Sequence, residues 1–388
     1  MFKKLPFILM IIIIAAIVLN PIIPTTTKQI IYACSITTKS VVLFLLPFII
    51  FGLLFKTFAK LAGNALSIVC LIFGGLCVSN FINTFLTHYL GSLFYFFDFH
   101  VGDSIVTTYQ LTPYFNIELP TIIKNEYALF GGMLIGLLST FFMSKNFINN
   151  CIRIVDTIVQ KLFSFISVLI PFFITGFVIK CASEGSLTTL MKSYSLVFVI
   201  FITYATVYTF LYYVVISQGR LKQCIITMKN MFPAFLTAVS TISSALTMPV
   251  TIMCAEKNAK NKELVGSVVS ATVNIHLLGD CLGIPLLAYA LLKHFNMPEP
   301  TLEAYFIFTV FFVIAKFSVA AVPAGGIIVM TPILEKYLGF TPDMSSLIIA
   351  IYVIFDPVIT GFNVMGNGAF AKLIDTLYNR VTAHKRFS

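Results

Sequence analysis

Asp356, Thr360 and Asn363 stand four and three residues apart in the stretch VIFDPVITGFNVMGNG (353–368). On a helix they fall on nearly one face. A carboxylate pairs with a cation or accepts hydrogen bonds, a hydroxyl donates and accepts, and an amide does both through separate atoms. The three together suit the grip of a small polar molecule, with Pro357 and Gly361 shaping the helix around it.

The surroundings make the acid unusual. The chain of 388 residues is 59% hydrophobic and 10% charged, with mean hydropathy +0.98, against about 25% charged residues in soluble domains. Apolar stretches of about 20 residues, long enough to cross a bilayer, recur from end to end. This is the composition of a polytopic, all-α membrane protein with no separate soluble domain. A charge at bilayer depth costs about 2.5–3.5 kcal/mol on insertion scales, so Asp356 reads either as part of a polar cavity or as a buried structural partner.

Spans are expected near 5–23, 29–55, 64–97, 121–144, 152–182, 190–217, 263–292 and 343–372, eight in all. The first begins with two lysines and an apolar run, like a secretory signal, but no small-residue cleavage site follows. The net charge of +10 does not form an aromatic-interleaved patch for nucleic acid. Its lysines and arginines collect in alternate connections (Lys3/Lys4, Lys56/Lys60, Lys145/Arg153/Lys161, Arg220/Lys222/Lys229, Lys257/Lys260/Lys262, Arg380/Lys385/Arg386), which places both termini in the cytoplasm. The cysteines, at 34, 70, 77, 151, 181, 224, 254 and 281, lack metal or redox spacing and read as small core residues.

Two apolar regions remain. Residues 230–257 form two short arms around a Ser/Thr-rich tip, with cations at both ends; residues 304–339 are split by Lys316 and VPAGG. Neither pair of arms is long enough to span twice. Both read as re-entrant hairpins, entering from opposite faces. With the helix that follows each, they make an inverted repeat, a signature of secondary transporters. Tips at membrane depth must be buried in protein or line a wet cavity.

The segments SSALTMPVT (243–251), SATVN (270–274), AAVPAGGIIVM (320–330) and FDPVITGFNVMGN (355–367) resemble the dicarboxylate/amino acid:cation symporter family, which includes the glutamate transporters. The resemblance implies a homotrimer working by an elevator mechanism. Residues 1–220 would be mainly scaffold, with helices 3 and 6 packing on a transport core of residues 221–388. It further implies substrate contacts from Ser243 and Ser244, from Val322, Pro323, Ala324 and Gly325, and from Asp356 (amino group), Thr360 and Asn363 (α-carboxylate).

Departures from the family pattern matter as much. Where acidic-substrate members carry arginine, this chain has Ile359, and a basic position at the first tip is Ile242. Without that bidentate donor, a neutral or small amino acid is favoured over an acidic amino acid or C4-dicarboxylate. The family's NMDGT reads Asn274, Ile275, His276, Leu277, Leu278, and two further acids become Tyr352 and Asn367, so sodium coupling loses three carboxylates. The coupling ion is Na+ or H+, with exchange as an alternative. Candidates for the cation chemistry are Thr272, Asn274, His276, Asp280, Lys316 and Asn367. His276 and Asp280, four residues apart, would share a helix face and pair. Lys316 would either occupy a cation's space near Thr272 or snorkel to the interface.

No cofactor or firm metal site is expected. Partners would be an amino acid or carboxylate and lipid, in a plasma membrane of bacterial inner-membrane type. A remote alternative, an intramembrane serine protease using Ser243 or Ser244 with His276, lacks a recognisable nucleophile setting.

Overall fold

A helix satisfies its own backbone polar groups, which is what an apolar segment removed from water requires. Among the described residues the chain is helical, without strands. The computed structural model describes residues 11, 15–16, 18–61, 66–98, 111–120, 122–184, 187–319 and 324–387. Most of the expected first span, the lysines at 3 and 4, residues 99–110 between the third and fourth expected spans, and the tip residues Val322 and Pro323 lie outside the described residues.

The helices are α1 (Thr25–Leu61), α2 (Leu66–Phe96), α3 (Asn125–Phe142), α4 (Lys145–Ser183), α5 (Leu187–Ile216) and α6 (Leu221–Thr241). They continue as α7 (Ser244–Glu256), α8 (Lys262–Thr272), α9 (Leu278–His294), α10 (Leu302–Lys316), α11 (Gly325–Leu338) and α12 (Pro342–Phe387). Segments of α1, α4, α5 and α12 are long and apolar enough to cross a membrane. Side-chain oxygens of Ser243, Asn261 and Thr301 accept from backbone N–H groups three residues on and so start α7, α8 and α10.

One expected span is not a single helix. Residues 263–292 form α8 and α9, interrupted at 273–277. The interruption (Val273, Asn274, Ile275, His276, Leu277) contains neither glycine nor proline. Its cause is tertiary: Asn80 of α2 donates to the Ile275 carbonyl at 3.0 Å, and Ser79 hydrogen-bonds the His276 ring at 2.9 Å, so α2 supplies partners that a continuous helix would not need.

The helices pack in two groups. α1 packs on α3 and α4. In α3, Gly132 and Gly136 bring the backbones together: a Cβ at either would fall within 2.8 Å of a carbonyl oxygen of α1. The second group is built around α12, which contacts α5 through α9 and α11, while α2 and α5 lie against α9. Asp375 on α12 accepts from the backbone N–H groups of Lys260 and Asn261 (2.9 and 3.0 Å), fixing the α7–α8 connection.

The closest helix contact in the second group is between α9 and α12, where a Cβ on Gly279 would sit 2.1 Å from the Ile359 carbonyl oxygen, and one on Gly366 would sit 2.4 Å from the Leu278 Cβ. Backbone cannot swing aside as a side chain can. Gly279→Ala should therefore cost about 3 kcal/mol or more, the upper end for overpacking. Gly74→Ala, with nothing within 4 Å of its added carbon, should be neutral or slightly stabilising. Melting of the purified protein in detergent separates the two, and equal behaviour would contradict the packing.

Candidate functional site

The conformation of α12 brings Asp356, Thr360 and Asn363 onto one cavity, all three buried. The Thr360 hydroxyl donates to Asp356 Oδ1 at 3.1 Å, one helical turn away. Oδ2 accepts the Ala324 N–H at 2.9 Å. Ala324 holds a left-handed backbone (φ 59°) at the start of α11, so the acid receives the positive end of that helix. A carboxylate has about four acceptor positions. With two filled and the Tyr352 hydroxyl also against it, Asp356 still has an acceptor position for an ammonium group.

Opposite lie Ile242, Ser243 and Ser244, the tip between α6 and α7. Ser243 caps α7, accepting from the Leu246 N–H at 3.3 Å, so a helix N-terminus borders the cavity and suits an anion. Ile242 takes φ 47°, a conformation that a β-branched side chain disfavours. Of the second tip, Ala324 and Gly325 are buried at the start of α11, and Gly326 lines the cavity. The cavity measures about 30 Å³, room for roughly two waters.

Asp280 is the second carboxylate of the cavity, and it does not pair with His276. Oδ2 accepts from the Lys316 ammonium at 3.0 Å; Oδ1 accepts from the Tyr352 hydroxyl at 2.8 Å and from the Asn363 amide at 3.3 Å. The Asn363 oxygen accepts the Asp280 N–H at 3.1 Å. The expected one-face relation failed because the chain leaves the helix between the two residues. His276 instead bonds Ser79 through Nε2 and stacks on Phe370, with 4.7 Å between ring centroids. Its partner is a serine of α2, not Ser243 or Ser244. Lys316 does not snorkel: it is 0% exposed.

Of the remaining candidates, Asn367 donates to the Thr272 hydroxyl at 3.0 Å. The side-chain oxygens of Asn367 and Asn274 are buried without a hydrogen-bond partner, and such oxygens take a water or a hard cation. Ile359, where a guanidinium would matter, packs against Gly283. Sequence reasoning missed Gly326, where a Cβ would lie 2.5 Å from Asp280 Oδ2 and 2.8 Å from the Tyr352 hydroxyl. It also took Tyr352 only as a lost acid. The AGG run at 324–326 and the tyrosine one turn before Asp356 were the available signals.

The model of the sodium:dicarboxylate symporter family matches residues 5–377. Excitatory amino acid transporter 1 of Homo sapiens is 24% identical over 210 residues, 54% of this chain and 38% of the relative. Excitatory amino acid transporter 3 of Mus musculus is 26% identical over 168 residues (43% and 31%). An excitatory amino acid transporter of Caenorhabditis elegans is 25% identical over 154 (39% and 30%). These matches span about a third of the relatives' length. With its long apolar helices and a family match over nearly its whole length, the chain is a membrane protein that belongs to the sodium:dicarboxylate symporter family.

Proposed function

We propose that the chain is a secondary active symporter that carries a small neutral amino acid across the membrane by alternating access. The observation that carries this is the environment of Asp356. Its carboxylate is buried at a cavity, accepts the Ala324 N–H and the Thr360 hydroxyl beside the hydroxyl of Tyr352, and meets no cation among the described residues. An amino acid's ammonium group completes that set. Its carboxylate goes to Asn363 and the N-terminus of α7 at Ser243 and Ser244, where the helix dipole favours an anion.

A second carboxylate finds no such partner. Ile359 offers no charge, and the Lys316 ammonium is engaged by Asp280. This favours a neutral substrate over a dicarboxylate. The family's description supports a second reading of the substrate, a dicarboxylate; in that reading an acidic amino acid or C4-dicarboxylate is carried, with a proton as the coupling ion, and exchange without net ion coupling is a further form of the same chemistry.

The fold supports a transport motion. A cavity that holds about two waters must open before an amino acid enters, and the tips between α6 and α7 and between α10 and α11 are its gates. We assign these helix pairs as re-entrant hairpins from opposite faces, within eight spans and with both termini cytoplasmic. Residues 221–388 are the moving unit, which the grouping of helices around α12 supports. Residues 1–220 are mainly scaffold, α2 and α5 riding against the core, and the assembly is a trimer in a bacterial-type inner membrane. A coupling sodium would be held by the unpartnered oxygens of Asn274 and Asn367, where it would add positive charge beside the cavity.

Two measurements follow. In proteoliposomes with sodium and pH gradients imposed separately, small neutral amino acids should enter. Aspartate and C4-dicarboxylates should compete about 10-fold less well, one tenfold step being about 1.4 kcal/mol. Preferred uptake of a dicarboxylate would move the assignment to the second reading, and uptake of none would remove the transport assignment. Asp356→Asn should raise the apparent KM for the amino acid by about 10- to 100-fold, the worth of a hydrogen bond to a charged group, while leaving the protein monodisperse. An unchanged KM would place the ammonium elsewhere.

A further inference from the structure

Lys316 ends α10 and Asp280 lies in the first turn of α9. Each charge therefore sits at the helix end whose dipole favours it. Their side chains are 0% and 2% exposed and meet at 3.0 Å. Asp280 is fixed from three sides: Tyr352 and Asn363 of α12 donate to Oδ1, its own N–H donates back to Asn363, and Gly326 of α11 leaves the space that Oδ2 fills. The ammonium also lies 4.6 Å from the ring centroid of Phe312, a favourable cation contact.

A carboxylate buried this deeply needs a counter-charge, because removing it from water alone costs several kcal/mol. A dissolved cation could supply that charge only by binding. Here the cation is attached to the chain, and it approaches Oδ2 while Oδ1 is held by neutral donors. Removing the ammonium leaves a preorganised anionic oxygen next to a space of ammonium size. Oxygen, charge and small volume are what a hard monovalent ion selects.

We propose that the Lys316 ammonium is a resident counter-cation that fills a latent monovalent-cation site on Asp280, so that this part of the cavity closes without taking up an ion. The site's existence rests on the ion pair alone; its consequence, one coupling ion fewer, rests on the transporter reading.

Lys316→Met keeps an apolar stem that ends one atom short of the ammonium position and removes the charge. In detergent at about 0.15 M ionic strength, this variant should melt higher in sodium chloride than in choline chloride. The gain should exceed that of the parent protein by on the order of 2 °C. The double variant Asp280→Asn/Lys316→Met, lacking both charges, should lose the extra gain. A Lys316→Met protein recoverable only from sodium-containing buffer would support the proposal in the same way. A response to sodium equal to the parent's would overturn it. So would a single variant lost in both salts while the double variant is recovered, because no free ion then replaces the ammonium. Neither readout needs a substrate, so an absence of uptake, which would end the transport reading, leaves this test standing. In proteoliposomes, uptake by Lys316→Met should depend more steeply on sodium concentration than uptake by the parent, as expected for one additional ion; an unchanged dependence would overturn the proposal.

Discussion

Backbone polar groups removed from water must find partners, and in this molecule that requirement acts hardest where helices stop inside the protein. Among the described residues helices do so at 242–243, at 273–277, and at the end of α10 and the start of α11. Each leaves N–H and C=O groups that no helix satisfies. Asn80 takes the Ile275 carbonyl, Asp356 takes the Ala324 N–H, and Ser243 takes the Leu246 N–H. Two of these three partners line the cavity. The site is thus where the fold meets its own backbone demand, and the spare capacity of those partners is what a ligand can use.

The same demand explains why charged groups are tolerated at this depth. Asp280 and Lys316 are each matched to a helix end and to each other, with amide and hydroxyl donors completing the acid. Such a pair adds little net stability, since desolvation offsets attraction, but a partner removed from it leaves an uncompensated buried charge. Its effect is to hold the ends of α9 and α10 in one relation to α12. Gly326 lets α11 close on the same acid, so four helices meet around one carboxylate.

Much of this was legible in the sequence. Hydropathy placed α2, α3 and α5 within a few residues, while α4 starts seven residues earlier and α12 runs fifteen residues further than the expected spans, and Asp356, Thr360 and Asn363, whose interval announced a shared face, all line the cavity. The break in 263–292 was not legible, because Val273, Asn274, Ile275, His276 and Leu277 include no breaker and the partners lie in α2, about 195 residues away in the chain. That single break undid the expected pairing of His276 with Asp280. The fate of Lys316 was equally hidden. A lone lysine at the end of an apolar helix reads as a snorkelling side chain until the acid that faces it, from a helix 36 positions earlier, is in view.

On the proposed transport reading, the acid at the centre of the cavity would be shared between a gate and a ligand, which would give closure a direction. Asp356 is buried and accepts the Ala324 N–H and the Thr360 hydroxyl. Neutral donors stabilise a carboxylate but do not neutralise it, so shutting the empty cavity would either leave a charge out of water at a cost of several kcal/mol or require the acid to take up a proton. An ammonium in the cavity would remove that cost without displacing the Ala324 contact, because a carboxylate has acceptor positions for both. Closure would then be more favourable when the cavity is loaded. Asp280 would escape the same penalty in either state because its counter-charge, Lys316, is attached to the chain. One acid would respond to the passenger and the other would not, so the response of the gate would be specific to a ligand that brings its positive charge to Asp356.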